Sequence, residues 1–132
     1  MAHDGFISLI SLYSYRDTMD RLLAALAAHN MTIFARIDHA ANAQAAGLKL
    51  RPTEVVIFGN AKGGTPLMQD QQTVGIDLPL KVLIWEDAEG KAWLGYSDPI
   101  WIARRHGLIG KGTIAIDAMA TALHAIAQDV TT

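Results

Sequence analysis

Leu80–Tyr96, LKVLIWEDAEGKAWLGY, holds two β-rich runs, Leu80–Glu86 and Ala92–Tyr96, on either side of Asp87-Ala88-Glu89-Gly90-Lys91. A five-residue connection containing glycine between such runs is a hairpin loop. Hairpin strands pair antiparallel, which excludes an all-parallel sheet. Upstream, Thr53–Phe58 (TEVVIF) follows Pro52 as a nearly continuous apolar run, the pattern of a strand covered on both faces. Thr32–Ile37 (TIFARI) and Phe6–Tyr13 alternate more loosely and complete a set of five strands.

Helices fill the intervals. Ser14 stands three residues before Asp17, the capping-box spacing, and Met19, Leu22, Leu23 and Leu26 then form an amphipathic stripe that ends near Asn30. After Gly110-Lys111-Gly112, a second long stripe runs through Ile116, Met119, Ala120, Leu123, Ile126 and Ala127. Shorter helices are predicted over His39–Ala46, capped by Asp38 and stopped by Gly47, and over Leu67–Gln72, opened by Thr65-Pro66. A third short helix spans Ile100–His106, between Asp98-Pro99 and Gly107.

The order is β-α-β-β-β-β-α, with short helices inserted after the second, third and fifth strands. It implies an α+β fold, with a single antiparallel sheet and both long helices on one face. The other face would carry exposed apolar side chains, which a homodimer interface or a ligand would cover.

Composition narrows the functional classes. At 132 residues, 51% apolar and 18% charged, the chain is a single packed domain over 1–132 rather than a disordered segment. A net charge of −2, with Arg104-Arg105 as the densest basic spot, argues against nucleic-acid binding. The absence of cysteine excludes disulfides, thiolate metal sites and cysteine nucleophiles. MAHDGFISLISLYSY has no basic start and is interrupted by serines, and no apolar run approaches the ~18 residues of a membrane span. The expectation is a soluble cytoplasmic chain that does not enter a membrane.

The stretch richest in functional signals is Phe58–Leu80, FGNAKGGTPLMQDQQTVGIDLPL. Gly59 and Gly64 imitate the start of a phosphate-binding loop, but Thr65-Pro66 stands where that motif needs Lys followed by Ser or Thr. A nucleoside-triphosphatase is therefore rejected. Two readings remain. Either Gly63-Gly64 exposes backbone amides to a small anion or carboxylate near Lys62, helped by the helix beginning at Pro66, or the glycines serve a tight turn.

Asp38-His39 offers a carboxylate beside an imidazole, an acid–base pair in principle. The preferred reading is that Asp38 caps the following helix, because Asp is among the strongest N-cap residues. Met68 and five histidines raise haem or metal ligation. No attachment motif exists, and His3, His29, His39, His106 and His124 show no i, i+4 metal spacing. Glu86, Asp87 and Glu89 sit at a solvated hairpin tip, and no G-x-S-x-G elbow is present. Trp85 and Trp93 face each other across the hairpin, with Trp101 and Tyr96 nearby.

The first helix, Phe34–Ala43 (FARIDHAANA), Gly47, Arg51-Pro52-Thr53, Phe58-Gly59-Asn60, Gly64-Thr65-Pro66-Leu67-Met68 and Leu78-Pro79-Leu80-Lys81 together resemble the bacterial and archaeal domain-of-unknown-function family 302. They run in the family's order over Asp17–Tyr96. Ala61 departs from the proline often found in the family's turn, and the far C-terminus matches only in helical character. The resemblance implies a compact α/β domain with an antiparallel sheet, in dimers, and implies no activity.

The resulting expectation is a homodimer that binds a small anion or carboxylate through His39, Asn60, Gly63, Gly64, Thr65 and Met68. No residue is assigned as a metal ligand and no motif implies a cofactor, with haem or metal binding kept as a minority alternative. One alternative is a lyase or hydrolase using His39 as acid–base beside Asp38. The other is a protein-interaction module that uses the open sheet face.

Overall fold

In the computed structural model, which describes residues 4–110 and 112–132, five antiparallel strands form one sheet in the order β1-β5-β4-β3-β2. His3 and Lys111 lie outside the described residues. The elements are β1 Phe6–Ile10, α1 Tyr15–Ala28, β2 Thr32–Asp38, α2 His39–Ala45, β3 Thr53–Gly59, α3 Ala61–Asp70, a 3-10 segment Gln72–Asp77, β4 Leu80–Glu86, β5 Ala92–Ser97, α4 Pro99–His106 and α5 Gly112–Thr131. The β4–β5 hairpin pairs Trp85 with Trp93 and Glu86 with Ala92. β1 then pairs along β5, from Phe6 opposite Ser97 to Ile10 opposite Trp93.

Alternation along the strands builds the core. Val56 and Phe58 of β3, Val82 and Ile84 of β4, and Leu94 and Tyr96 of β5 point to one face. There they pack against Met19, Leu22 and Leu26 of α1 and Leu123, Ile126 and Val130 of α5. Each such fully buried side chain stabilises the fold by about 1.5–3 kcal/mol. Both long helices therefore cover the same face, as the element order requires. A smaller apolar cluster of Leu67, Val74, Ile102, Leu108 and Ile116 joins α3, the 3-10 segment and α4 to α5.

The opposite face carries the other half of the alternation. Trp85 and Trp93 stack with ring centroids 6.1 Å apart and planes 10° apart, and Phe6 lies 6.1 Å from Trp85. Gly95 sits beneath them, and a Cβ there would stand 2.3 Å from Phe6, so only glycine fits. Ile10, also on this face, remains 48% exposed.

Two boundaries differ from the sequence expectation. β1 ends at Ile10 rather than Tyr13. Buried Ser11 bonds Thr18 through its hydroxyl at 2.7 Å, and the Leu12 N–H donates to Thr131 O, turning the chain into α1. The second correction concerns α3, which begins at Ala61, not after Thr65. Asn60 is its cap, and Pro66 lies inside the helix. Asn is as good an N-cap as Thr, and an interior proline removes a single backbone hydrogen bond while keeping a helical φ. The 3-10 segment was not anticipated.

Candidate functional site

A cavity of about 590 Å³ opens where β3 runs out. The end of the β2–β3 pair forms one side with Met31, Phe34 and Gly59, and the first turns of α3 form the second with Asn60 to Thr65 and Met68. Gly75 and Leu78–Leu80 supply the third side, and Ala115, Ala118, Met119 and Ala122 of α5 supply the fourth. The first and third sides come together at Gly59, at ordinary contact distances. A Cβ there would lie 3.4 Å from the Phe34 ring and 3.7 Å from Pro79 Cβ. The lining is overwhelmingly apolar, with polar side chains only at Asn60, Lys62 and Thr65 along α3.

Of the residues singled out in the sequence, Asn60, Gly63, Gly64, Thr65 and Met68 line this cavity, and His39 does not. β2 pairs Thr32 with Gly59 at one end and Asp38 with Glu54 at the other. His39 therefore sits at the opposite end of the sheet, roughly 20 Å from Asn60 at ~3.3 Å per residue. Its neighbour Asp38 accepts from the Ala41 N–H at 2.9 Å, a helix cap. Among the described residues no hydrogen bond joins Asp38 to His39, and His39 is exposed. An acid–base role would need an oriented imidazole in a cleft. Among the described residues the His39 ring makes no side-chain hydrogen bond, and His39 lines neither of the two cavities.

The amide cradle expected at Gly63-Gly64 also needs correction. The Lys62 N–H donates to Asn60 Oδ1 at 2.9 Å, and the Gly63 and Gly64 N–H groups donate to Asn60 O at 2.9 and 3.0 Å. These amides are consumed by the helix start and are not free for an anion. Their helical backbone likewise rules out the alternative of a tight turn that needs glycine.

The α5 wall went unrecognised in the sequence. Ala115, Ala118 and Ala122 follow helical spacing beside the apolar stripe, so a small-residue face was legible there as a signal. Phe34, by contrast, was hidden, because β2 is irregular between Ile33 and Ala35 and the bulge sets Phe34 outside the alternation.

A second cavity, about 690 Å³, lies at the His39 end and is lined by Tyr15, Asp38, Ala40, Ala41, Gln44, Gly47–Leu50 and Pro52. Its walls are mostly exposed residues of α2 and the connection to β3. Nearby, Arg36 Nε donates to buried Glu54 at 2.6 Å. This hydrogen bond holds the guanidinium above its ordinary range. The Tyr15 hydroxyl is pushed up to about 12, by burial first and then by the Glu54 and Asp38 charges.

A third arrangement ties the helices together. His106 Nε2 lies 2.6 Å from Asp77 Oδ2, and its Nδ1 lies 3.0 Å from Thr73 Oγ1. Arg105 donates to both Asp77 oxygens at 2.9 and 3.0 Å. The chain of hydroxyl, imidazole and carboxylate has the order of a nucleophilic relay, yet none of the three lines either cavity. It fastens α4 to the 3-10 segment, whose Gly75 is part of the α3–α5 cavity wall. Among the described residues no group of three or more His, Cys, Asp or Glu stands in metal-ligating geometry.

The family profile described as "Domain of unknown function DUF302" matches residues 7–128. The chain belongs to the DUF302 family. Among curated proteins, this DUF302 chain is 47% identical over 117 residues to "Fluoride-specific ion channel FluC 1" of Brucella suis biovar 1 (strain 1330), covering 89% of this chain and 46% of that protein. The identity is again 47% to "Fluoride-specific ion channel FluC 1" of Brucella abortus biovar 1 (strain 9-941), of which 43% is covered. The chain thus spans less than half the length of the curated relatives it matches. Among solved structures, an uncharacterized conserved DUF302 protein from Bacillus stearothermophilus superposes with a TM-score of 0.86 at 15% identity, covering 97% of this chain and 99% of that one. At that identity the likeness speaks for the fold.

Proposed function

We propose that this DUF302 chain is a small-molecule-binding domain that holds one largely apolar ligand in the α3–α5 cavity and works as a homodimer. The observation that carries the reading is the cavity, about 590 Å³ with polar side chains confined to one edge. Pockets for small organic molecules fall in this size range and combine apolar walls with a few polar groups. The small anion expected from the glycine pair becomes, on this reading, the head of a larger apolar molecule. Native mass spectrometry on gently purified protein, compared with its denatured mass, tests the proposal. A reproducible extra mass that disappears on denaturation supports it. The reading fails if a chain purified without detergent neither retains nor takes up any apolar compound.

The dimer rests on the open sheet face. Phe6, Ile10, Trp85 and Trp93 form an apolar strip there, and a second copy of the chain would take it out of water.

The Brucella relatives favour a second reading. They are named as ion channels, and this chain aligns with less than half of each. Among its described residues, no helix is long and apolar enough to cross a membrane. A helical channel needs such spans, so conduction would belong to the remaining part of those proteins. On this reading, the DUF302 part is an accessory domain, and the present chain serves beside a fluoride channel. Fluoride efflux from vesicles carrying the Brucella suis protein with and without its DUF302 part tests the idea. Conduction should survive the deletion while its rate or regulation changes. Loss of conduction itself, or no change in either property, contradicts it.

A further inference from the structure

We propose that the ligand of the α3–α5 cavity is a single-headed amphiphile, an apolar body bearing one carboxylate, with Lys62 reading the head and Gly63-Gly64 admitting the body. This rests on the cavity being the binding site and adds the chemical class of what it holds. Lys62 is the one charged side chain in the lining, and no acidic side chain accompanies it. Among the described residues its ammonium enters no ion pair. Asn60 stands beside it with Oδ1 already committed to the Lys62 N–H, leaving the side-chain NH₂ as a donor. A cation and an amide donor along one edge of an otherwise apolar chamber fit one anionic head and oppose a cationic one.

The glycine pair gives the independent part of the argument. Gly63 and Gly64 lie within α3 with ordinary helical backbone, so no positive φ demands glycine. Neither is crowded. A Cβ on Gly63 would meet only Met119 Cε at 4.0 Å, and one on Gly64 only Leu78 Cδ1 at 3.7 Å. Gly95 and Gly112 are different, because a Cβ there would stand 2.3 Å from Phe6 or 2.8 Å from Asp70. Consecutive glycines weaken a helix, and neither the backbone nor the packing of this chain requires these two. A larger side chain at either position would occupy the space the cavity offers, so their smallness keeps the chamber open for a ligand body.

Calorimetric titration of decanoate, decanol and decyltrimethylammonium, which share one tail, separates the head from the body. Wild-type protein should bind decanoate roughly tenfold more tightly than decanol, the size of one charge-assisted contact, and the cationic compound least. Lys62→Gln should bring decanoate to the decanol level and leave decanol unchanged. Gly64→Leu should abolish all binding in a protein that circular dichroism shows to be folded. Should that variant not fold, Gly63→Ala should weaken all tails together. Equal affinity for decanoate and decanol, or an equal loss of both in Lys62→Gln, overturns the head assignment and leaves the cavity reading standing. No binding of any compound to the wild type, or unchanged binding in folded Gly64→Leu, overturns the cavity reading itself.

Discussion

Gly63→Ala should raise the melting temperature and lower ligand affinity in the same protein. Alanine is favoured over glycine inside a helix by about 1 kcal/mol, and the added methyl meets nothing closer than 4.0 Å. For a chain of this length the gain corresponds to roughly 3–5 °C, measurable by calorimetry. A fall in melting temperature would mean the position is crowded and the cavity smaller than described. Arg36→Ala should act in the opposite direction. It strands the buried Glu54 carboxylate, and because Arg36 is 45% exposed the cost is about 1–2 kcal/mol rather than that of a fully buried pair. Urea denaturation would read this directly, and an unchanged midpoint would show that water replaces the guanidinium. Single residues were legible where their chemistry is local. Asp38 and Ser14 are caps by side-chain type, and both cap as expected. The irrelevance of His39 to the Asn60 pocket was not legible, since it follows from which strands pair and in what register.

The β4–β5 hairpin carries a prediction of its own. Asp87 accepts from the Trp93 indole N–H at 2.8 Å and from the Lys91 and Glu89 N–H groups at 2.9 Å. The indole bond, then the backbone bonds, hold its carboxyl below the usual carboxylate range. A depressed folded-state pKa means that the stabilisation is complete above about pH 4 and is lost as pH falls below that value through the folded pKa. Trp93 fluorescence should therefore change on acidification below about pH 4, and Asp87→Asn should remove that step. The same acid transition in Asp87→Asn would place its origin elsewhere. Strand and long-helix positions were readable because periodicity persists over many residues, as in the Met19–Leu26 stripe. The start of α3 was not, because two good caps, Asn60 and Thr65, compete within six residues, and only tertiary packing chooses between them. The 3-10 segment has no apolar period of its own. Its place is set by Val74 in the smaller core and by Asp77 bonded to Arg105 and His106.

At the scale of the whole molecule, self-association falls on the proposed reading to the open sheet face and ligand binding to the cavity, and each can be perturbed separately. The open face should drive self-association, so Trp85→Ala or Trp93→Ala should turn a dimer into a monomer in sedimentation experiments while ligand affinity is kept. A wild-type monomer would contradict the dimer and leave the cavity untouched. The single antiparallel sheet and its helix-covered face followed from the hairpin and the two long stripes, because few arrangements bury both, whereas the strand order β1-β5-β4-β3-β2 was not legible. The cavity depended on something one sequence cannot display, the meeting of β3's end, α3 and α5 from distant parts of the chain. The most direct test of that meeting point is methyl NMR on protein labelled at its methionines, titrated with decanoate and with decanol. Met31, Met68 and Met119 line the cavity, whereas Met19 lies in the main core among α1 and the sheet. The account predicts shifts at the three cavity methionines with Met19 unmoved. Saturable binding that leaves those three in place would contradict it.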